Sequence, residues 1–244
     1  MNELATIRSR LRALKDPNAA AHSVRFFKTG PGEYGAGDRF LGIRVPMLRR
    51  LAREHRGATA TTAFALLRSA WHEERLLALL LLVALFERSD ERGREQIYSR
   101  YVRAIRRGVN NWDLVDTSAP AIVGGFLEQR SRKPLYALAR SADLWERRVA
   151  MLATFRFIRR GDFADALAIA ELLLDDAQDL IHKAVGWMLR EIGNRDARAA
   201  ARFLDRHCQR MPRTMLRYAI EKLPPATRRA YLEGRVSAGT STSG

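Results

Sequence analysis

A tryptophan and a carboxylate four residues apart are the first side chains in this sequence that could perform chemistry. Trp112 and Asp116 belong to the segment NNWDLVDTSAP. On a helix, this spacing places both on one face with their Cβ atoms about 5–6 Å apart. A carboxylate attracts positive charge, and the face of an indole binds cations. The alternative is structural, with Trp112 packed between helices and Asp116 paired with an arginine.

Two further segments carry candidate binding residues. In LWERRVA, Arg147 and Arg148 stand at a predicted helix start, where a positive charge opposes the helix dipole and needs a partner. That partner is a nearby carboxylate, Asp116, or a phosphate. In HKAVGWMLRE, a glycine stands in mid-helix directly before Trp187. Glycine there favours close approach of either a neighbouring helix or a ligand.

Other routes to chemistry have little support in the sequence. The five histidines show no metal-binding spacing, and no glycine-rich phosphate loop follows a strand. The single cysteine, Cys208, excludes an internal disulfide and a cysteine-based zinc cluster, and it is predicted to be buried. We therefore expect any active site to consist of carboxylate and aromatic groups, with no metal and no cofactor.

Composition indicates a globular protein with a polyanionic partner. The 244 residues are 47% apolar and carry a net charge of +16, and only five of the 43 basic residues are lysines. Such a charge favours nucleic acid. The longest apolar run, residues 76–86, is shorter than the roughly 20 residues that a bilayer requires. With no secretory signal in the first residues, we expect a cytoplasmic protein without membrane segments.

Helical spacing of apolar residues extends over nearly the whole chain. The first stripe ends at Asp16–Pro17, a second helix is predicted over residues 18–28, and a third runs from Pro46 to about residue 55. Four glycines between residues 29 and 40 predict a loop. Further helices are predicted at 60–70, 72–88, 91–107, 111–129, 132–141, 144–159, 162–174, 179–192, 196–209, 213–222 and 225–234.

The helices repeat with a regular period. Basic residues begin similar apolar segments at Arg75, Arg148, Lys183 and Arg217, at intervals of 73, 35 and 34 residues, and the missing copy falls at NNWDLVD. A period of 34–38 residues is typical of α-solenoids. The sequence therefore predicts an all-α fold, an α-solenoid of HEAT-like antiparallel helix pairs. We expect one domain over residues 1–234 and a flexible tail over 235–244.

Equivalent positions of stacked repeats line one concave surface. The sequence therefore predicts a curved molecule whose concave groove is basic and carries tryptophans. The residues expected along that groove are Arg75, Trp112, Arg148, Lys183 or Trp187, and Arg217.

Six ordered blocks resemble the AlkD-like DNA alkylation repair family and cover nearly the whole chain. These blocks are FFKTGPGEYGAGDRFLGIRVP, HEERLLALL, NNWDLVDTSAPAIVG, LWERRVAMLATFRFIR, HKAVGWMLREIG and MPRTMLRYAIEKLP.

The resemblance implies a HEAT-like-repeat DNA glycosylase that excises cationic N3- and N7-alkylated purines, such as 3-methyladenine and 7-methylguanine, from duplex DNA. It implies a monofunctional enzyme that needs no metal or cofactor, and we expect a monomer. The family's essential aspartate falls on Asp116, its two tryptophans fall on Trp112 and Trp187, and its arginine falls on Arg148.

The remaining basic candidates for DNA contact are Lys183, Arg75, Arg190 and Arg217. The alternative function is a non-catalytic HEAT-repeat protein that binds damaged or branched DNA. Retention of Asp116 favours the enzyme, because a carboxylate in a basic groove weakens the binding of a polyanion.

The chain departs from the family at two places. Phe26 stands where an aromatic hydroxyl is expected, and Asp179 and Leu180 replace aromatic residues before the block in which His182 replaces a glutamine. These departures bear on the range of lesions that the protein accepts.

Overall fold

The computed structural model describes residues 2–235, and these residues fold into α-helices joined by short connections. They contain no β-strand, although Arg39 and Trp71 form one isolated parallel bridge. The all-α prediction is confirmed. Of the tail expected over residues 235–244, only Arg235 lies among the described residues.

The described chain divides after Phe126 into two compact units, residues 2–126 and 127–235. The helices of unit 1 are α1 (Glu3–Ala13), α2 (Pro17–Phe26), α3 (Val45–Glu54), α4 (Ala60–Leu66), α5 (His72–Arg88), α6 (Glu91–Gly108) and α7 (Trp112–Ala119). A π-helical segment (Pro120–Gly124) and the single turn α8 (Gly125–Leu127) follow α7.

Helix α5 is the core of unit 1. It packs against α3, α4, α6 and α7, and Leu77, Leu79 and Leu82 are completely buried. This helix contains the long apolar run at residues 76–86, which is apolar on several sides because neighbours surround it. No helix among residues 2–235 has both the length and the hydropathy needed to cross a membrane.

Side-chain caps set the starts of several helices. Asp16 accepts hydrogen bonds from two backbone N–H groups of α2, and Thr59 and Asp90 cap α4 and α6. Asn111 caps α7, where its Oδ1 accepts from the N–H of Trp112 at 2.8 Å. Each cap satisfies a donor that the first helical turn leaves unpaired.

The helix predicted over residues 111–129 is interrupted at Pro120. Proline has no N–H to donate to the carbonyl of Asp116 four residues earlier, and the chain continues as the π-helical segment Pro120–Gly124. Widened turns of this kind are frequent at functional sites. The predicted helix is therefore present but not regular throughout, and the irregularity begins directly after the segment that carries Trp112 and Asp116.

Unit 2 consists of shorter helices around α13. Its helices are α9 (Lys133–Ala139), α10 (Leu144–Ala153), α11 (Phe155–Ile158), α12 (Ala164–Leu172), α13 (Asp179–Gly193), α14 (Ala197–His207), α15 (Arg213–Ala219) and α16 (Pro225–Leu232). The predicted helix over 144–159 is divided into α10 and α11.

Gly186 permits the closest helix contact in the core of unit 2. A Cβ atom at this position would lie 2.4 Å from the carbonyl oxygen of Met215 and 2.5 Å from the Cβ of Tyr218, both on α15. Of the two explanations left open for this glycine, the structure favours a neighbouring helix.

The basic residues from which the period was inferred occupy similar registers. Arg75, Arg148, Lys183 and Arg217 each lie about one turn into a helix, in α5, α10, α13 and α15. Their exposure differs, however, since Arg75 and Arg148 are only 3% and 4% exposed while Arg217 is exposed. The period therefore identifies the helix register but not which of these side chains reach solvent.

Candidate functional site

Unit 1 contains a cleft of about 730 Å³ between α3, α5 and α7. Asp116 and Trp112 both line it, as their spacing on α7 predicts. The complete lining is Arg49, Ala52, Arg53, Arg56, Leu80, Ala84, Trp112, Asp113, Asp116 and Thr117. The cleft combines one aromatic ring, two carboxylates and three arginines.

Trp112 is held by a cluster of aromatic rings from α2 and the loop after it. Its indole stacks on Phe27, with ring centroids 5.5 Å apart and planes 19° apart, and Phe27 stacks in turn on Phe40. Phe26 meets Trp112 edge-on at 6.1 Å and is 55% exposed. These contacts hold the half-buried indole in one orientation. Its exposed neighbour Phe26 is the residue that stands where the family resemblance leads us to expect an aromatic hydroxyl.

Three arginines of the cleft were not identified from the sequence. Arg49, Arg53 and Arg56 are exposed residues of α3 and the turn after it. None of the three forms an ion pair within residues 2–235. Their spacing of four and three residues places them on one helical face. This spacing is the one sequence feature that could have identified them as site residues, but many other arginines of this chain have similar spacing.

The charge of Asp116 affects the pKa of a buried tyrosine in the core of unit 1. Burial raises the pKa of Tyr101, and the carboxylate of Asp116 raises it further. Tyr101 is completely buried and shares a 2.8 Å hydrogen bond with Ser118, one residue beyond the Thr117 of the cleft. Asp116 itself is half-buried, so its charge faces a medium that screens less than bulk water.

A buried ionic network lies behind the cleft. His72 is 3% exposed, and its Nδ1 lies 3.1 Å from Asp38 while its Nε2 lies 2.8 Å from Asp113. Burial lowers the pKa of His72, but the hydrogen bonds to Asp113 and Asp38 outweigh it and raise the pKa from 6.5 to about 9. In the imidazolium form both ring nitrogens donate, so His72 ties α7 to the loop between α2 and α3.

Arg75 belongs to this network and not to a DNA-facing surface. Its Nη2 donates to Asp38 at 2.7 Å and its Nη1 donates to the carbonyl of Ser69 at 3.1 Å. Asn111 donates to the same Asp38 at 3.0 Å. The expectation that Arg75 lines a groove and contacts DNA is corrected, because its side chain is 4% exposed and already paired.

The network predicts how stability depends on pH. The folded-state pKa of His72, about 9, lies above the ordinary value of 6.5. Its stabilising contribution is therefore complete below about pH 6.5 and is lost as pH rises through 9. We expect the free energy of unfolding, measured with urea, to fall by about 2 kcal/mol between pH 7 and pH 9. A His72→Gln variant should lack this decrease, and an equally steep decrease in both proteins would contradict the assignment.

Glu73, the next residue of α5, anchors the loop that carries Asp38. Its carboxylate accepts hydrogen bonds from the N–H groups of Leu41, Gly42 and Ile43 at 2.8, 2.7 and 3.2 Å. Gly42 has a φ of +82°, and a Cβ there would lie 2.1 Å from the carbonyl oxygen of Asp16. Only glycine fits this turn, which lets three consecutive N–H groups converge on one buried carboxylate.

The second predicted tryptophan lies in unit 2. Trp187 of α13 is half-buried, its Nε1 donates to Glu191 at 3.3 Å, and its ring lies 5.8 Å from that of Phe155. The guanidinium of Arg159 lies over the same phenyl ring at 4.2 Å. Trp187 thus has an aromatic and basic environment of its own.

The two arginines at the start of α10 make different contacts. Arg147 forms an ion pair with Asp176 at 2.6 Å, while Asp143 caps the helix. Arg148 donates to the carbonyl of Leu180 at 2.5 Å and is 4% exposed. This burial agrees with the structural alternative for Arg148, and its contact with DNA stays a prediction.

The other basic candidates of unit 2 differ in accessibility. Lys183 pairs with Asp179 one turn earlier at 2.7 Å, and Arg190 forms an ion pair with Glu221. Arg217 is exposed on α15. Arg217 is therefore the most accessible of the three, and DNA contact by each of them remains a prediction.

The structure also shows the residues of unit 2 that depart from the family pattern. Asp179 is exposed beside Lys183, and the Nε2 of His182 lies 2.5 Å from the carbonyl oxygen of Asp176. Cys208 is buried, as predicted. Within residues 2–235, no three His, Cys, Asp or Glu side chains are grouped so that they could hold a metal ion.

Comparison with known proteins gives the family of this chain. The model of the DNA alkylation repair enzyme family matches residues 7–223. This chain belongs to the DNA alkylation repair enzyme family. A comparison with curated proteins finds no significant match for this family member.

The solved structures support the same fold. The family member is similar to a structure described as a predicted DNA alkylation repair enzyme from Enterococcus faecalis. The TM-score is 0.66 at 16% sequence identity, and the match covers 86% of this chain and 97% of the other. This likeness confirms the predicted α-solenoid class, while a curved shape and a continuous concave groove remain predictions.

Proposed function

We propose that this family member is a monofunctional DNA glycosylase that excises cationic N3- and N7-alkylated purines from duplex DNA. The observation that carries the proposal is the cleft of unit 1, in which Asp116 and Trp112 lie among three arginines without carboxylate partners within residues 2–235. The arginines of such a cleft would bind an anionic nucleic-acid strand, and its carboxylate and indole would bind a cationic base.

The chemistry follows from the charge of the lesion. Alkylation at N3 or N7 makes the purine cationic, so it leaves without protonation by an acid. As the glycosidic bond breaks, positive charge moves onto the deoxyribose. A carboxylate at Asp116 interacts more strongly as that charge grows, and this lowers the barrier selectively. The purine departs as the neutral free base, water adds to the cationic sugar and loses a proton to solvent, and an abasic site remains.

The aromatic side chains supply a surface for the cationic base. Trp112 is held in a fixed orientation by Phe27, and the exposed Phe26 extends the same surface. A cation over an indole face gains roughly 0.5–2 kcal/mol. In unit 2, we propose that Trp187 and the exposed Arg217 contact DNA.

The arginines of α3 are proposed to bind phosphates of the DNA backbone. We expect Arg49→Gln with Arg53→Gln to weaken binding to undamaged duplex and to reduce the slope of log K against log salt by about 2, since each lost phosphate contact changes it by about 0.9. The matched control, Arg88→Gln with Arg92→Gln, removes the same charge from exposed positions outside the cleft. Fluorescence anisotropy at several salt concentrations measures both slopes, and equal slopes for the two variants would contradict the assignment.

The proposed activity has a direct test. Purified protein is incubated with methylated duplex DNA, and the released bases are separated by chromatography. We expect free 3-methyladenine or 7-methylguanine, with strands that break only after alkali treatment because a monofunctional enzyme leaves abasic sites intact. Binding without any base release would favour the alternative of a non-catalytic DNA-binding protein.

A further inference from the structure

A second arginine cluster lies on other helices of unit 1. A cavity of about 480 Å³ lies between the carboxyl end of α4 and the last two turns of α6. Its lining is Phe64, Leu67, Arg68, Arg100, Arg103, Ala104, Arg107 and Gly108. We call this cavity the arginine pocket. The Asp116 cleft, in contrast, is lined by α3, α5 and α7.

The arginine pocket lies where the last residue of α6 approaches Leu67, the residue after α4. A Cβ atom at Gly108 would lie 2.9 Å from both the carbonyl oxygen and the Cγ of Leu67, so only glycine allows this approach. Along α6, Arg100, Arg103 and Arg107 follow each other at intervals of three and four residues, which places them on one face. The fourth arginine, Arg68, enters from the end of α4.

The charges of the arginine pocket are not compensated within the described protein. No carboxylate of residues 2–235 forms an ion pair with any of its four arginines. Burial, together with the like charges of Arg68 and Arg103, lowers the pKa of Arg100. Concentrated like charge of this kind destabilises the empty pocket and would be relieved by a bound anion.

The geometry is suited to phosphate. The guanidinium of Arg100 lies 3.9 Å from the ring centroid of Phe64, which fixes its plane, and Arg103 also donates to Ser99 at 2.7 Å. Oriented guanidinium groups bind phosphate oxygens with two parallel hydrogen bonds each. We propose that the arginine pocket binds phosphate groups, two or more linked together, from a free polyphosphate or from successive phosphates of a nucleic-acid strand. This proposal does not depend on the proposed glycosylase activity.

The test compares two charge-matched variants by isothermal titration calorimetry, with inorganic tripolyphosphate and a short thymidine oligonucleotide as separate probes. We expect Arg100→Gln with Arg103→Gln to weaken binding of at least one probe by about tenfold or more. The control, Arg88→Gln with Arg92→Gln, should change it less than about twofold. Loss of tripolyphosphate binding identifies a free polyphosphate as a source, whereas loss restricted to the oligonucleotide identifies a strand.

A second measurement needs no variant. Phenylglyoxal modifies accessible arginines, and mass spectrometry of the wild-type protein reports each site. We expect a binding probe to protect Arg100, Arg103 and Arg107 and to leave Arg88 and Arg92 reactive. Equal affinities of the two variants, absence of binding by either probe, or protection confined to Arg49 and Arg53 would overturn the proposal.

Discussion

Replacement of Asp116 by asparagine is expected to slow single-turnover release of an alkylated purine by ten- to thousandfold, which corresponds to about 1.4–4 kcal/mol. The substitution is nearly isosteric, removes the negative charge and replaces one carboxylate oxygen with an NH2 group. A carboxylate about 4 Å from a developing unit charge interacts by about 4 kcal/mol at an effective dielectric constant near 20. Asp116 is half-buried, so solvent screening brings the effect below this upper value.

Two comparisons make this prediction specific. Affinity of Asp116→Asn for undamaged duplex should hold or rise, because a negative charge leaves a basic cleft. Asp113→Asn removes a charge from the same cleft, but that carboxylate is bonded to His72, so its main effect should be on stability. Equal rates for wild type and Asp116→Asn, measured on folded protein, would rule out the proposed mechanism.

Replacement of Glu73 by alanine is expected to lower the free energy of unfolding by about 3–5 kcal/mol. The variant would leave three buried N–H groups, those of residues 41–43, without an acceptor. Each orphaned buried donor costs about 1–3 kcal/mol. The loss is a large share of the 5–15 kcal/mol typical of a folded domain.

The matched control for Glu73→Ala is Glu95→Ala, an exposed glutamate of α6, which should change stability by less than about 0.5 kcal/mol. Glu73→Gln retains one acceptor oxygen and should fall between the two. Urea unfolding followed by circular dichroism measures all three. A loss below about 1 kcal/mol for Glu73→Ala would show that the loop does not depend on this carboxylate.

Local periodicity predicted the helices well because the apolar stripes and caps are encoded within a few residues. The starts of α5, α10 and α13 at His72, Leu144 and Asp179 agree with the prediction. The interruption at Pro120 was missed, although the proline was visible. A helix can continue past a proline when the backbone widens, and tertiary packing decides whether it does.

Site residues that share one helix were easier to predict than those that do not. Trp112 and Asp116 line the same cleft because their spacing fixes a common face. The arginines of α3 were missed because their approach to α7 depends on packing around α5. Arg75 was misplaced for the same reason, since its partner Asp38 is 37 residues away along the chain.

The buried network behind the cleft shows a further limit of sequence reasoning. His72, Asp38 and Asp113 are separated by 34 and 41 residues, and no spacing rule joins them. His72 was predicted only as part of a helix start, which is correct. Its role as a charged link between α7 and the loop between α2 and α3 depends on contacts that only the folded chain forms.

The dependence of excision on the charge of the lesion in the duplex is the most direct test of the central claim. One duplex that carries both cationic 7-methylguanine and uncharged O6-methylguanine is incubated with the wild-type protein, and the released bases are quantified by mass spectrometry. Cationic 7-methylguanine can leave as a neutral base without an acid, whereas uncharged O6-methylguanine would have to leave as an anion. Because Asp116 is proposed to stabilise only the positive charge that develops on the deoxyribose, we predict release of 7-methylguanine alone. Release of both bases at similar rates, or of O6-methylguanine alone, would contradict it.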